Sequence, residues 1–154
     1  MAQLDIGDKA PAFNLEDQQE NKVSLRDFKG RKLLVYFYPR ADTPGCTRQA
    51  CSIRDAKEVM AGVDIAAVGI SPDKPAKQRK FADKYDLNFA LLSDEDHQVA
   101  QAYGAWGKKK NYGKEYEGII RSSFLIDEKG LIAQAKYKVK PEDTVPLALE
   151  VTEK

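Results

Sequence analysis

Only two cysteines and one histidine occur among the 154 residues, and that scarcity removes several chemistries. A structural zinc site wants four ligands, so Cys46, Cys51 and the distant His97 make a weak set. His97 follows Asp94-Glu95-Asp96 and reads as an exposed helix start, which gives poor support to a cysteine–histidine nucleophile pair. No segment approaches the roughly 20 apolar residues of a membrane span, and residues 1–12 alternate charged and apolar positions without a run of signal-peptide length. Neither sign of charge is in excess: the net charge is +1, so nothing argues for nucleic acid or a membrane surface as partner. Lys108-Lys109-Lys110, beside Gly107, Asn111 and Gly113, reads as a solvated loop. There is no phosphate-cradling glycine loop, dinucleotide fingerprint, repeat or low-complexity tract. The expectation is no cofactor, no metal and a cytoplasmic location, where thiols are kept reduced. In such a compartment a cysteine pair is seldom a structural staple, and catalysis or metal binding becomes the contest.

What is present suits one soluble globular domain spanning 1–154, with 42% hydrophobic and 32% charged residues. Asn14 to Asp27 reads as two short extended segments around the polar Gln18–Asn21 turn. Leu33 to Tyr38 is a continuous apolar run, as expected of a strand covered on both faces. A helix is expected from about Thr47 to Met60, stopping before Gly62. Asp64–Ile70 is a second buried strand, Pro75 opens a helix with Phe81, Ala82 and Tyr85 on one face, and Phe89–Leu92 is a third strand. A helix over Glu95–Tyr103 and a glycine- and lysine-rich loop to Gly118 follow. Ile119–Ile126 and Leu131–Tyr137 bracket Asp127–Gly130 as a hairpin, and Val145–Val151 reads as helix behind Thr144. This order describes an α/β fold, a mixed central sheet flanked by helices with N-terminal extended segments. A thioredoxin-like fold fits best; a flavodoxin-like sheet is also compatible with the pattern.

Both cysteines lie in Tyr38-Pro39-Arg40-Ala41-Asp42-Thr43-Pro44-Gly45-Cys46-Thr47-Arg48-Gln49-Ala50-Cys51, between a buried strand and a helix. A thiol at a helix N-terminus meets unpaired backbone N–H groups and the positive end of the helix dipole, both of which favour the thiolate, the nucleophilic form. A second thiol five residues on can trap the product. The stretch reads as a redox catalyst. The plainer readings are buried core cysteines at 46 and 51, a helix N-cap at Thr43 followed by Pro44, a strand terminator at Pro39, and a solvent-facing edge-strand arginine at 121.

Pro39, Thr43 and Cys46 match the pattern Pro-x-x-x-Thr-x-x-Cys of the peroxiredoxins. Thr43-Pro44-Gly45-Cys46-Thr47 with Ala50-Cys51 resembles their bacterioferritin-comigratory, or peroxiredoxin Q, branch, and Arg121-Ser122-Ser123-Phe124-Leu125-Ile126-Asp127 is similar to that branch's Arg-Ser-Thr-Phe-Leu-Ile-Asp strand. The resemblance covers nearly the whole chain and favours the thioredoxin-like fold. It implies a peroxidatic Cys46, a resolving Cys51 closing an intramolecular Cys46–Cys51 disulfide, a Thr43 hydroxyl that positions peroxide, and Pro39 shielding Cys46 from solvent. It also implies an active-site arginine at Arg121, whose fixed charge favours the thiolate and holds charge developing on the peroxide oxygens. Gln49 stands where glutamate is also common; an amide can orient Arg121 but removes a counter-charge. Ser123 replaces threonine without clear consequence.

The expectation is therefore a thioredoxin-dependent peroxidase of the atypical two-cysteine type, acting on hydrogen peroxide and small organic hydroperoxides, recycled by a thioredoxin-like reductant, and monomeric. A peroxide-sensing module that passes its disulfide to a partner remains an alternative. So does a thiol–disulfide reductase, although four residues between the cysteines depart from the usual Cys-x-x-Cys.

Overall fold

Leu33, Leu34, Val35, Tyr36 and Phe37 are all at most 1% exposed, and their alternating side chains feed two separate cores. The computed structural model describes residues 3–111 and 113–152. In chain order these form β1 (Asn14–Glu16), β2 (Lys22–Ser24), β3 (Lys32–Phe37), α1 (Pro44–Asp55), α2 (Lys57–Gly62), β4 (Ile65–Ser71), α3 (Pro75–Tyr85) and β5 (Ala90–Ser93). Then come α4 (Gln98–Ala102), β6 (Trp106–Asn111), β7 (Lys114–Ile119), β8 (Ser122–Ile126), β9 (Ile132–Tyr137) and α5 (Thr144–Thr152).

Seven strands make one sheet in the order β2-β1-β5-β4-β3-β8-β9. β3, β4 and β5 are parallel neighbours, joined by right-sized helical crossovers, whereas β8 runs antiparallel to β3 and β9 antiparallel to β8. That antiparallel side removes the flavodoxin-like alternative, whose sheet order is parallel throughout. The expected thioredoxin-like arrangement, a mixed sheet with flanking helices, is what the chain adopts.

Leu33, Val35 and Phe37 join Val68, Ile70, Phe124, Ala100 and Tyr103 in one core, under α4 and the N-terminal segment. Leu34, Tyr36 and Tyr38 join Cys46, Ala50, Ile53, Met60, Phe81 and Ala148 in the other, under α1, α2, α3 and α5. Each large apolar side chain so buried contributes about 1.5–3 kcal/mol. Tyr36 lies across β4 at Gly69, where a Cβ would fall 2.7 Å from the tyrosine ring, so that face of the sheet admits only glycine there.

Four features differ from expectation. The helix carrying the cysteines begins at Pro44 and not near Thr47, because Thr43 is extended (φ −101°, ψ 156°) and Pro44 occupies the first helical position. It also breaks at Ala56, whose N–H is shared between Ser52 and Ile53 carbonyls, so the single helix to Met60 is two pieces. The helix expected from Glu95 starts only at Gln98: His97 is left-handed (φ 49°), and the Asp94 carboxylate accepts from Val99 N at 3.2 Å and Ala100 N at 2.9 Å, capping the later start. The segment expected as a loop to Gly118 is instead the β6–β7 hairpin, paired from Trp106↔Ile119 to Asn111↔Lys114. Its strands carry lysines and glycines on an exposed ribbon, so no hydrophobic alternation announces them.

Candidate active site

The first turn of α1 stands over the end of β3, and its backbone is left open by the residues that build it. Pro44 has no N–H to cap, and the first-turn amides of a helix have no intrahelical acceptors. No side chain caps this turn: the Thr43 hydroxyl donates to the Arg40 carbonyl at 2.9 Å instead. Thr43 thus holds the N-cap position without the N-cap hydrogen bond, and its oxygen keeps its lone pairs for another donor. The amides beside Cys46 and the helix dipole together form an anion-favouring spot.

Cys46 is 1% exposed and is reached by a charge from just before β8, the strand paired with β3. Arg121, in the link between β7 and β8, turns its guanidinium inward, and Nη2 donates to Cys46 Sγ at 3.2 Å. Its Nη1 donates to Gln49 Oε1 at 2.6 Å. Gln49, fully buried on the next turn of α1, donates in turn from Nε2 to Thr144 Oγ1 at 2.7 Å. The chain Cys46–Arg121–Gln49–Thr144 joins three parts of the sequence, and every link is a hydrogen bond with good geometry. Gly45 makes the approach possible: a Cβ there would lie 3.1 Å from Arg121 Nη2. The solvent-facing arginine that position alone favoured is not what the fold contains.

A second buried network supports the loop before the helix. Tyr38 Oη donates to Gln78 Oε1, and Gln78 Nε2 donates to Ser71 Oγ at 2.9 Å and to the Leu92 carbonyl at 3.0 Å. Ser71 Oγ donates to Asp73 Oδ2 at 2.8 Å, and that same oxygen accepts from Ala41 N at 2.7 Å. Asp42, left-handed at φ 60°, is tied to Lys84 and Tyr85 of α3, whose hydrogen bonds hold its carboxyl below the usual carboxylate range. Burial pushes the phenol of Tyr38 far above its ordinary value, so it is a neutral donor. Tyr36, behind Cys46 in the same core, is raised likewise, first by burial and then by Tyr38.

Pro39 is half-buried just past β3. Cys51 is half-buried and free, on the same helix as Cys46 but well past its first turn. His97 stands at a helix start as expected, as the N-cap residue of α4, but it is half-buried and not exposed: it stacks on Trp106 at 3.9 Å between ring centroids, 9° from parallel. Trp106 packs on the opposite core from Cys46, so the two make no nucleophile pair.

Sequence reading missed three contributors. Thr144 was seen only as a cap for α5, and Gln78 and Lys109 not as site neighbours at all. Lys109 is half-buried, and its ammonium donates to the Ile119 carbonyl at 2.8 Å, near Arg121 in the chain. A buried glutamine on a helix interior has no local signal, but strand parity across the hairpin would have turned Lys109 away from Lys108.

The profile of the AhpC/TSA family matches residues 6–135. Peroxiredoxin Bcp of Escherichia coli K12 is 56% identical over 134 residues, covering 86% of this chain and 85% of that protein. Peroxiredoxin Bcp of Bacillus subtilis is 46% identical over 147 residues, covering 96% and 94%. Among solved structures, the bacterioferritin comigratory protein of Xanthomonas campestris, studied for alkyl peroxide reduction, superposes with a TM-score of 0.89 at 29% identity, covering 97% of this chain and 98% of that one. Peroxidoxin BcpB of Mycobacterium tuberculosis gives 0.86 at 32% identity, with 97% of each chain covered. No helix among the described residues is long and apolar enough to cross a membrane.

Proposed function

Because this chain belongs to the AhpC/TSA family, we propose that its peroxidase cycle runs on Cys46, with Arg121, Thr43 and Cys51 in separate roles. The protein is a thiol-dependent peroxidase of the Bcp type. The observation that carries the assignment of roles is the buried Cys46 sulfur held 3.2 Å from a guanidinium nitrogen at an uncapped helix start.

In the first step the Cys46 thiolate attacks the terminal oxygen of a hydroperoxide. The S–O bond forms, the O–O bond breaks, and the leaving alkoxide or hydroxide takes up a proton, giving a sulfenic acid and an alcohol or water. Arg121 and the first-turn amides hold the negative charge as it moves from sulfur to oxygen. The Thr43 hydroxyl accepts from the hydroperoxide proton while keeping its own bond to Arg40, which orients the terminal oxygen toward sulfur. Pro39 limits water at the sulfur.

In the second step the Cys51 thiol condenses with the sulfenic acid, forming the Cys46–Cys51 disulfide and releasing water. The folded helix opposes this. Both cysteines lie in the continuous α1, where five residues of regular helix place Cα atoms about 8.6 Å apart for a 2.3 Å radius and 1.5 Å rise. A disulfide needs about 6.8 Å or less, so the first turns must melt before the bond closes. A thioredoxin-like dithiol then reduces the disulfide and is itself oxidised, which suits a reducing cytoplasmic setting. Hydrogen peroxide and small organic hydroperoxides are the substrates. One chain supplies every group of the site, and the enzyme works as a monomer with no cofactor.

Steady-state peroxide consumption with thioredoxin, its reductase and their electron donor tests the reading. The expected result is turnover that requires both cysteines. Oxidation without turnover supports the sensing alternative, and disulfide reduction without peroxide consumption supports a reductase.

A further inference from the structure

Lys109 sits in the middle of β6, opposite Tyr116 of β7, and is half-buried, its charged end turned onto the backbone. The side chain slants along the hairpin over Gly118, where a Cβ would lie 3.4 Å from Lys109 Cδ. The ammonium passes 5.9 Å from the centroid of the Tyr116 ring and ends on the Ile119 carbonyl at 2.8 Å. Ile119 is 3% exposed and closes the hairpin. Two residues further on is Arg121, which touches Cys46 Sγ. One ammonium thus ties the middle of an otherwise exposed ribbon to the strand end from which the active-site arginine projects.

We propose that Lys109 is a positioning residue of the peroxide site, fixing the Ile119–Arg121 segment through the Ile119 carbonyl and adding a second positive charge to the field at Cys46. The proposal rests on the roles given above to Cys46 and Arg121. Burial lowers the Lys109 pKa below the usual lysine range, the nearby Arg121 charge lowers it further, and Cys46 acts in the opposite direction. The geometry agrees: the ammonium rests on the Ile119 carbonyl, two residues before the arginine whose guanidinium touches Cys46 Sγ. Two half-buried cations repel one another, and negative charge developing at the peroxide site offsets that repulsion. The second cation therefore stabilises the transition state in which negative charge passes from sulfur to peroxide oxygen.

The test is the rate of the first oxidation step with hydrogen peroxide in a Cys51→Ser background, followed by a sulfenic-acid-reactive probe, with thermal midpoints recorded alongside. Lys109→Met keeps the stem and removes the charge; its second-order rate constant should fall about fivefold, the scale of one screened charge near a reacting centre. Lys109→Arg should restore the rate to within about twofold, because it keeps the charge and the donor. Lys109→Gln keeps a donor without charge and should stay slow. Combined with Arg121→Met, Lys109→Met should add less than its effect alone, since the two cations act on one sulfur. A Lys109→Met rate equal to that of its parent overturns the proposal, and so does a Lys109→Gln rate as high as that of Lys109→Arg. If Lys109→Met does not fold, the contrast between Arg and Gln still decides. Failure of the underlying reading looks different: Cys46→Ser would still consume peroxide, or Arg121→Met alone would leave the rate unchanged.

Discussion

The two halves of α1 are built from the same backbone but held by different forces. Its first turn is clamped from outside the helix: Cys46 by Arg121, Arg121 by Gln49, and Gln49 by Thr144 of α5. Its second half, from Cys51 to the break at Ala56, is held by helix hydrogen bonds, the buried Ile53, and the Arg54 guanidinium reaching Asp55 and the Tyr85 carbonyl. The first half therefore depends on a polar network that includes the reacting sulfur, and the second on packing that chemistry at Cys46 does not touch. Oxidation changes the charge on one member of the clamp. A helix whose start is tied down by its own nucleophile can hold that nucleophile for attack and loosen once it has reacted.

The sharpest break in this comparison is between the cysteines themselves. Cys46→Ser should abolish peroxide consumption with every reductant, whereas Cys51→Ser should still yield one sulfenic acid per chain and turn over with a small thiol, losing thioredoxin-coupled cycling. Mass spectrometry after a single peroxide addition reads this directly, and equal loss of the first step in both variants would remove Cys51 from the resolving role.

Hydrogen exchange of the oxidised protein should show the next largest difference. Protection from Thr43 to about Ile53 should fall toward that of an unfolded segment, while α3 and the sheet keep theirs. A disulfide-bonded structure that retains regular helix across both cysteines would falsify the melting step.

Removing the clamp's charge comes third. Arg121→Met should slow the first step about 10²-fold, the usual effect of deleting one donor to developing negative charge, with a smaller change in the thermal midpoint. Stopped-flow oxidation of the Cys51→Ser protein measures it, and a slowing below about threefold counts against a role in the transition state.

Gln49→Leu tests the clamp as structure. It leaves Thr144 and one arm of Arg121 without their partner, which should cost about 1–3 kcal/mol in urea unfolding. Gly45→Ala should have the smallest effect. The new Cβ meets Arg121 Nη2 at 3.1 Å, so the guanidinium must move by a few tenths of an ångström, and alanine stiffens the first turn by up to about 1 kcal/mol. Slower peroxide attack within about tenfold, together with slower disulfide closure, is expected. Faster closure would show that the first turn is not the part that melts.

Much of this molecule was legible as a string. The buried strands at 32–37, 65–71 and 90–93 and the hairpin of β8 and β9 announce themselves by apolar runs and turn residues, because burial selects composition locally. The motif around Cys46 and the strand after Arg121 pointed to the chemistry. The β6–β7 hairpin did not show, since an exposed ribbon of lysine and glycine has no hydrophobic period, and Lys109 was hidden with it. The late start of α4 was hidden too, because it depends on one left-handed residue and one buried carboxylate.

By itself, then, the sequence determined the buried strands, the β8–β9 hairpin, the two thiols and their place at the start of a helix, since these depend on neighbours along the chain. Only the tertiary structure decided that Arg121 turns inward to Cys46, that Gln49 and Thr144 brace it from two helices, that Lys109 stands behind it, and that the lone histidine packs on the other face. Those outcomes depend on side chains separated by as many as 95 positions, and no local preference can specify a partner that the chain must fold to reach.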